Sequence, residues 1–293
     1  MRGEWSEFVP CRFCGKGIFY LGEIIMITSA NNQQLKQVSA LLKKAKERRE
    51  KKAFVVEGPK MVFEAPKGWI EAVFVAESYE NAKENIDRLN KLREDCLSEK
   101  ARYEVVTDSV FKSVSDTQTP QGIMAVIKMP EYDLAQLIKG ENTHLLILES
   151  IQDPGNLGTM VRTGEGAGIT GVVMNKTTVD LFNPKTIRST MGSIYRIPYF
   201  VTDDLQETLQ KLKEMDISLY AAHLKGQNTY DEEDYTKACA FMIGNEGNGL
   251  SDEIAGIADT YIKIPMEGQV ESLNAAISAT LLMYEANRQR RKK

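Results

Sequence analysis

Histidine and cysteine are scarce in this chain of 293 residues. The only histidines are His144 and His223, which disfavours a Ser-His-Asp triad and a three-histidine metal site, so we expect both to be surface or packing residues. The four cysteines include one C-x-x-C pair, Cys11 and Cys14, and the two further ligands that a zinc knuckle needs do not follow it. So few cysteines exclude a disulfide framework and indicate the reducing cytoplasm as the location.

Long hydrophobic runs are absent as well. The apolar stretch 17–27 is interrupted by Glu23, whereas a membrane span needs about 20 consecutive apolar residues, so we expect no membrane partner. Two interpretations of residues 1–25 stay open. They form a genuine N-terminal extension, or they are a translated leader upstream of a true start at Met26, because residues 21–23 can be encoded by a purine-rich ribosome-binding sequence.

No usual nucleotide-binding motif stands in the context that it needs. Gly164, Gly166 and Gly168 lie within a likely helix instead of in the turn between a strand and a helix, and no G-x-x-x-x-G-K-[ST] occurs, so a Rossmann or P-loop assignment is not supported. The apolar fraction of 42% and the charged fraction of 27% are nevertheless ordinary for a globular protein. Disorder is therefore excluded as the main state.

Alternating strand and helix patterns indicate an α/β protein with two units. Residues 26–129 are predicted to form a small α/β domain, residues 130–142 a linker, and residues 143–293 a doubly wound, mostly parallel sheet. The predicted strands are 53–57, 71–76, 103–107, 122–129, 145–149, 171–174, 197–201, 218–222, 240–243 and 261–264. The most distinct helical patterns are 32–50, 80–96 and 272–290.

Charge is divided unevenly between the two units. The net charge of the whole chain is −4, which by itself argues against a nucleic-acid partner. Residues 26–129 contain 18 basic and 15 acidic side chains, whereas residues 130–293 have a net charge of −7. Because contacts with nucleic acid depend on where charge is concentrated, the net charge does not exclude RNA.

One short run is strongly basic. Residues 43–52 contain seven basic and two acidic side chains. Two interpretations stay open: a solvated helix face with i,i+4 ion pairs, or a patch that contacts phosphates. The candidate RNA-binding side chains are Lys43, Lys44, Arg48 and Arg49.

Three polar loops that contain glycine stand out in the second unit. They cover residues 152–165, 183–193 and 244–251. Ligands of open α/β sheets bind beyond the carboxyl ends of the strands, so three such loops on one sheet indicate a ligand site.

These loops resemble the three motifs of the SpoU (TrmH-type) branch of the SPOUT RNA methyltransferases. The motifs stand in family order with compatible spacing, at 153–165, at 185–193, and at 243–247, 264–266 and 270–274. A looser resemblance to the L30e-like substrate-binding domain that is often fused to this family is carried by residues 27–31, 54–58 and 119–122.

The resemblance implies a C-terminal α/β domain with a deep trefoil knot, a smaller N-terminal L30e-like α/β domain, and a homodimer. It implies methylation of a ribose 2′-hydroxyl in RNA, with S-adenosylmethionine as the cofactor and 23S ribosomal RNA as the favoured substrate. A transfer RNA ribose methyltransferase and a non-catalytic RNA-binding protein of the same fold are the alternatives. Intact matches at the catalytic positions of the family favour the enzyme.

The resemblance also implies roles for residues of the first motif. Arg162 matches the essential arginine of the family. Because a guanidinium stays protonated, binding of the phosphate beside the target ribose is favoured over a role as general base, which stays open. Asn156 is expected to hold Arg162 or the ribose by hydrogen bonds. Glu165 lies three residues after Arg162 on the same helix face and is expected to orient it.

The third motif supplies the remaining site residues. Glu246 is expected to anchor the loops of the site. Ser272 and Asn274 lie at the start of the last helix, and the family role places them near the transferred methyl group and the target ribose. Capping of the helix, for which serine is well suited, is the alternative for both. Asn245 departs from the small residue that is frequent at its position, and a polar side chain should be tolerated there. The cofactor contacts that the resemblance implies are Gly244, Ile264, Met266 and Leu273.

Overall fold

A computed structural model describes residues 26–291 of the chain. The interpretations of residues 1–25, including the Cys11 and Cys14 pair and the start at Met26, concern a segment that lies outside the described residues. Within residues 26–291, no helix is both long and apolar enough to cross a membrane.

The first part of the chain forms a four-stranded mixed sheet. Its strands are β1 (Ala53–Glu57), β2 (Ile70–Ala76), β3 (Arg102–Val106) and β4 (Ile123–Lys128). Its helices are α1 (Gln33–Lys43), α2 (Ala45–Lys51), α3 (Pro59–Glu64), α4 (Glu77–Glu80), α5 (Ile86–Ser98) and α6 (Asp108–Val114). The strand order is β1-β4-β2-β3, with β4 antiparallel to both neighbours and β2 parallel to β3. The four strands agree with the predicted ones to within two residues.

The helix-favouring run 32–50 forms two helices instead of one, because the chain breaks at Lys44. Lys44 has extended backbone angles (φ −124°, ψ 115°) and separates α1 from α2. The Arg48 side chain satisfies the last carbonyl groups of α1: its Nη1 donates to the carbonyl oxygens of Leu41 at 2.6 Å and Leu42 at 3.2 Å. A helix can end where a side chain replaces the next turn as hydrogen-bond donor.

The second part of the chain forms a seven-stranded sheet. Its strands are β5 (His144–Leu148), β6 (Gly171–Asn175), β7 (Tyr199–Thr202), β8 (Ser218–Ala222), β9 (Asn228–Thr229), β10 (Cys239–Ile243) and β11 (Thr260–Lys263). Its helices are α7 (Leu134–Leu137), α8 (Pro154–Ala167), α9 (Pro184–Thr190), α10 (Leu205–Glu214), α11 (Asp252–Ala255) and α12 (Ala275–Arg290). The strand order is β7-β6-β5-β10-β8-β11-β9.

All strand pairs of this second sheet are parallel, which confirms the predicted α/β class. The central strand β10 is buried throughout, and Cys239 at its start lies opposite His144 of β5 and Ser218 of β8. A strand between two parallel neighbours, with helices on both faces, favours the continuous apolar sequence found there. The short exposed strand β9 was not predicted.

The two sheets share one apolar core. A single cluster of buried side chains extends from Phe54 of β1 to Phe241 of β10. The rings of Phe54 and Phe182 lie 4.7 Å apart between their centroids, and the Tyr195 hydroxyl donates to the Met61 carbonyl oxygen at 2.9 Å. Because Phe54 and Met61 come from the first sheet and its helix while Phe182 and Tyr195 come from the second part, the two parts pack directly. The boundaries at 129 and 143 stay a prediction.

Candidate active site

A cavity of about 600 Å³ opens at the carboxyl ends of β8, β10 and β11, which are neighbours in the parallel sheet. Its walls are the loops that follow these three strands and the segment that leads into α12. Since backbone N–H and C=O groups are free of the sheet at strand ends, loops at this edge can bind a polar ligand. The cavity volume lies in the range of small-molecule sites.

All four residues predicted to contact the cofactor line this cavity. They are Gly244, Ile264, Met266 and Leu273. The loop after β10 is tightly closed, because a Cβ atom on Gly244 would lie 2.0 Å from the Gly249 carbonyl carbon. Any side chain at position 244 would therefore open the loop, which gives a structural reason for glycine there.

Asn245, the residue that departs from the family pattern, holds the same loop in place. Its Nδ2 donates to the Ser150 carbonyl oxygen at 2.9 Å, and its Oδ1 accepts from the Gly247 backbone N–H at 2.9 Å. Its backbone oxygen accepts from the Gly249 N–H at 2.8 Å. A polar residue is thus not only tolerated here, since it connects the loop after β10 to the end of β5.

Glu246, Asn156 and Asn274 form a hydrogen-bonded network beside the cavity. Oε1 of Glu246 accepts from Asn156 Nδ2 at 3.0 Å, and Asn156 Oδ1 accepts from Asn274 Nδ2 at 3.0 Å. The Glu246 carboxylate also accepts from the backbone N–H groups of Gln152 and Asp153, each at 3.0 Å. Glu246 lines the cavity as well, so one carboxylate connects the cavity to the start of α8.

The pKa values of the two carboxyl groups around this network are lowered. Burial raises the pKa of Glu246, but hydrogen bonds from Asn156 and from the backbone N–H groups of Gln152 and Asp153 outweigh burial and lower it overall. Asp153 is the N-cap of α8, and its pKa is lowered by hydrogen bonds from the Asn156 backbone N–H and the Lys185 side chain. Both carboxylates are therefore charged near neutral pH.

Asn274, rather than Ser272, caps the last helix. Its Oδ1 accepts from the backbone N–H groups of Ala276 at 2.9 Å and Ile277 at 3.3 Å, which are the free donors of the first turn of α12. Ser272 lies exposed two residues earlier and lines the cavity. Of the two residues for which capping is the alternative, Asn274 therefore caps the helix and Ser272 does not, while the position of Ser272 at the cavity agrees with the family motif.

Arg162 and Glu165 do not form the predicted pair. Glu165 is bonded to Arg196 instead: Arg196 Nε donates to Oε1 of Glu165, and Nη2 donates to Oε2 at 3.1 Å. The Arg196 side chain lowers the pKa of Glu165 through these bonds. Arg162 is exposed and has no ion pair or side-chain hydrogen bond within residues 26–291. An i+3 spacing permits a pair, but Arg196 offers two parallel donors and Arg162 is left free.

Arg48 is not available to RNA, so its predicted RNA-binding role is wrong. It is only 3% exposed, and its Nε and Nη2 donate to Oδ2 of Asp180 at 2.8 Å and 2.6 Å. A guanidinium that is removed from water needs such a partner. Lys43, Lys44 and Arg49 are exposed and remain candidates.

Two groups of residues were missed by the sequence patterns. The loop after β8, with His223, Leu224 and Lys225, lines the cavity. The sequence could have indicated this loop, because it follows a predicted strand of the parallel sheet. Arg196 and Asp180 are bonded to predicted site residues, and no local pattern marks them. The other histidine, His144, is 1% exposed and packs edge to face on Phe241, as expected of a packing residue.

Parallel strands that end at a cavity, with a hydrogen-bonded network at the adjoining helix starts, are typical of an α/β protein that binds a small molecule. The solved structures that share this fold are SPOUT methyltransferases. The model of the SpoU rRNA Methylase family matches residues 143–284, and the model of the MRM3-like substrate binding domain matches residues 32–125. The chain is 35% identical over 260 residues to the 23S rRNA (guanosine(2553)-2'-O)-methyltransferase RlmP of Bacillus subtilis (strain 168), covering 88% of this chain and 97% of that protein. The chain belongs to the SpoU rRNA methylase family.

Solved structures with the same fold include two with bound AdoMet. The rRNA methyltransferase from Sinorhizobium meliloti, bound to AdoMet, aligns with a TM-score of 0.81 at 28% identity and covers 91% of this chain and 98% of that chain. The SpoU methyltransferase AviRb from Streptomyces viridochromogenes, in complex with AdoMet, aligns with a TM-score of 0.78 at 26% identity and covers 89% of this chain and 100% of that chain. A trefoil knot stays an implication of the family.

Proposed function

We propose that this protein transfers a methyl group from S-adenosylmethionine to a ribose 2′-hydroxyl of RNA, and that its substrate is 23S ribosomal RNA in the cytoplasm. The observation that carries the proposal is the position of Glu246. This carboxylate lines the cavity and, through Asn156, holds the polar network at the start of α8. The cavity and the polar network at the start of the helix that carries Arg162 are thereby adjacent.

The cavity suits S-adenosylmethionine. Ile264, Met266 and Leu273 supply apolar surface for an adenine ring, and the closed loop at Gly244 presents backbone groups at the strand ends. The two solved relatives that contain AdoMet support this choice of cofactor. When bound, S-adenosylmethionine supplies a methyl group that is already activated on a sulfonium, so the protein chiefly has to align the acceptor.

The acceptor hydroxyl is a poor nucleophile, and its proton must leave at or near the attack. Arg162 carries a free guanidinium on α8, suited to bind the phosphate next to the target ribose and to stabilise the developing alkoxide. Asn156 lies six positions earlier on the same helix, and its amide is held by Glu246 and Asn274 on either side. A fixed amide at this place can orient the ribose hydroxyl by a hydrogen bond.

The first sheet and its helices would bind the RNA outside the catalytic site. Three basic side chains are exposed at the end of α1, at the break and on α2, namely Lys43, Lys44 and Arg49. The match of residues 32–125 to a substrate binding domain supports this role, and we propose the predicted boundaries, 26–129 and 143–293, for the two domains.

A homodimer is the second part of the proposal. On α12, Ile277 is 53% exposed and Tyr284 is 43% exposed, with Leu281 partly exposed between them. Spacings of four and three residues put these side chains on one face of the helix, and an apolar stripe facing solvent is typical of an interface. The double variant Ile277→Glu with Tyr284→Glu should be monomeric in sedimentation equilibrium. Leu97→Glu, which changes an exposed apolar residue on α5, should leave the dimer intact. Dimers of the double variant would exclude this face as the interface.

Mapping of 2′-O-methyl groups in a deletion strain tests the substrate. We expect one position in 23S ribosomal RNA to lose its methyl group, and the wild-type gene but not an Arg162→Ala gene to restore it. Loss of a methyl group in transfer RNA instead would replace the ribosomal substrate. Unchanged methylation of both RNAs would favour a non-catalytic RNA-binding protein.

A further inference from the structure

Arg196 is bonded to Glu165, the carboxylate that helix geometry places beside Arg162. Residues three apart on a helix are neighbours, so Glu165 is within reach of Arg162 on α8. Both oxygens of the Glu165 carboxylate are instead bonded to Arg196, through Nε and Nη2. Such two-pronged contacts between a guanidinium and a carboxylate are favoured over single ones. The guanidinium N–H donors of the exposed Arg162 are therefore all free, and no residue in the range 26–291 pairs with it.

Buried neighbours hold Arg196 in place. It follows the 3₁₀ turn Ser193–Tyr195, and its backbone N–H donates to the Ser193 carbonyl oxygen at 3.0 Å. Ile194 and Tyr195 in this turn are 2% and 7% exposed, and the Tyr195 hydroxyl is bonded to the Met61 carbonyl oxygen. The backbone that carries Arg196 is therefore anchored on the core shared by the two sheets.

A second carboxylate, from the first part of the chain, also binds Arg196. Nη1 of Arg196 donates to Oε2 of Glu64 at 3.2 Å, so the three guanidinium nitrogens are all used. Gly192 leaves the space for this contact: its φ is +100°, and a Cβ atom there would lie 2.3 Å from Oε2 of Glu64. The backbone angle thus favours glycine at this position of the second motif, and a side chain there would also displace the Glu64 carboxylate.

We propose that Arg196 is a positioning residue for methyl transfer, which holds Glu165 away from Arg162 so that the Arg162 guanidinium stays free to bind an RNA phosphate. This role rests on the proposed function, and it adds Arg196 as a residue that acts through Arg162. Glu64 strengthens the arrangement, because it binds the remaining side of Arg196. Without Arg196, the Glu165 carboxylate would compete with the phosphate for Arg162 and reduce the positive potential there.

The test compares Arg196→Met, the double variant Arg196→Met with Glu165→Gln, and Lys211→Met as a control for the loss of one exposed positive charge. Arg196→Met should raise the KM for RNA by about twofold to fivefold, the range that the strength of an exposed ion pair allows, with S-adenosylmethionine affinity unchanged. The double variant should return KM toward the wild-type value, because no carboxylate remains to occupy Arg162. Lys211→Met should have no such effect.

A merely structural role for Arg196 gives the opposite result. The double variant would then be impaired as much as Arg196→Met or more, since it has lost both partners, and that outcome overturns the inference. An equal rise in KM for Lys211→Met would also overturn it. If the wild-type protein transfers no methyl group, the proposed function fails, and the RNA dissociation constants of the same proteins still decide the role of Arg196. The Arg196 side chain is 45% exposed, so we expect the variants to fold, and thermal melting checks this.

Discussion

Asn274 and Asn156 are joined by a hydrogen bond of 3.0 Å, although 118 positions separate them in the chain. Asn274 caps α12, and Asn156 lies in the first turn of α8 and donates to Glu246. One series of polar contacts thus fixes the starts of two helices and the loop after β10. A change to any member should disturb the other two.

Glu246→Gln should reduce methyl transfer by about tenfold. The carboxylate accepts hydrogen bonds on both oxygens, from Gln152 and Asp153 backbone N–H groups and from Asn156, whereas an amide has one accepting oxygen. At least one donor then loses its acceptor, and a typical hydrogen bond contributes about 0.5–1.5 kcal/mol, the upper end of which corresponds to about tenfold in rate. Turnover measurements should show this loss, and Glu214→Gln, an exposed glutamate on α10, should stay at the wild-type rate. Wild-type turnover for Glu246→Gln would contradict a role of the network.

Asp180→Ala should lower the free energy of unfolding by about 3–5 kcal/mol, because it leaves the buried Arg48 guanidinium without its partner. Urea denaturation monitors the change. The matched control is Glu50→Ala, which removes the partner of Lys46 in an exposed i,i+4 pair and should cost at most about 0.5 kcal/mol. Equal effects of the two variants would show that the buried pair contributes no more than a surface pair.

His144 should make the protein less stable in acid. Burial, with a smaller contribution from the nearby Arg290, lowers the pKa of His144 to about 3 in the folded chain, whereas an unfolded histidine has a pKa near 6.5. Between these values the unfolded state binds a proton that the native state does not, so the free energy of unfolding falls as the pH drops from about 6.5 toward 3. Denaturation at several pH values should show a smaller decline for His144→Gln than for the wild type. Identical pH slopes would contradict this assignment.

Charge reversal of Lys43, Lys44 and Arg49 should weaken RNA binding and reduce its salt dependence. Each lost phosphate contact should decrease the slope of log K against log salt concentration by about 0.7 to 0.9. The control is reversal of three lysines that are exposed elsewhere in residues 26–129, namely Lys91, Lys100 and Lys112. Equal slopes for the two triple variants would assign the run 43–52 to solvation rather than RNA contact.

Local patterns were sufficient for most of the fold. Nearly all strands agree with the predicted ranges to within two residues, because buried parallel strands read as short apolar runs between turn signals. The break at Lys44 depends on Arg48 and on Asp180, which is 132 positions away, so periodicity within 32–50 could not reveal it. β9 has only two residues and no buried one, and it leaves no pattern.

For the site, the motifs were enough to find the residues but not their partners. The four predicted cofactor contacts meet at one cavity, because each lies next to a strand or helix that ends at the cavity. They are Gly244, Ile264, Met266 and Leu273. The partner of Glu165 could not be read in the same way. Its neighbour on the helix was Arg162, and the observed partner, Arg196, is brought there by the packing of the turn 193–195 on the shared core.

Methyl transfer by the purified protein is the most direct test of the proposed function. Unmodified 23S ribosomal RNA would be incubated with S-adenosylmethionine labelled on its methyl group, and the modified nucleotide identified by resistance to alkaline cleavage and by mass spectrometry. We expect label on one ribose 2′-oxygen, loss of that label with Arg162→Ala, and unchanged binding of S-adenosylmethionine by this variant. Label on a base, no transfer at all, or full activity of Arg162→Ala would contradict the account.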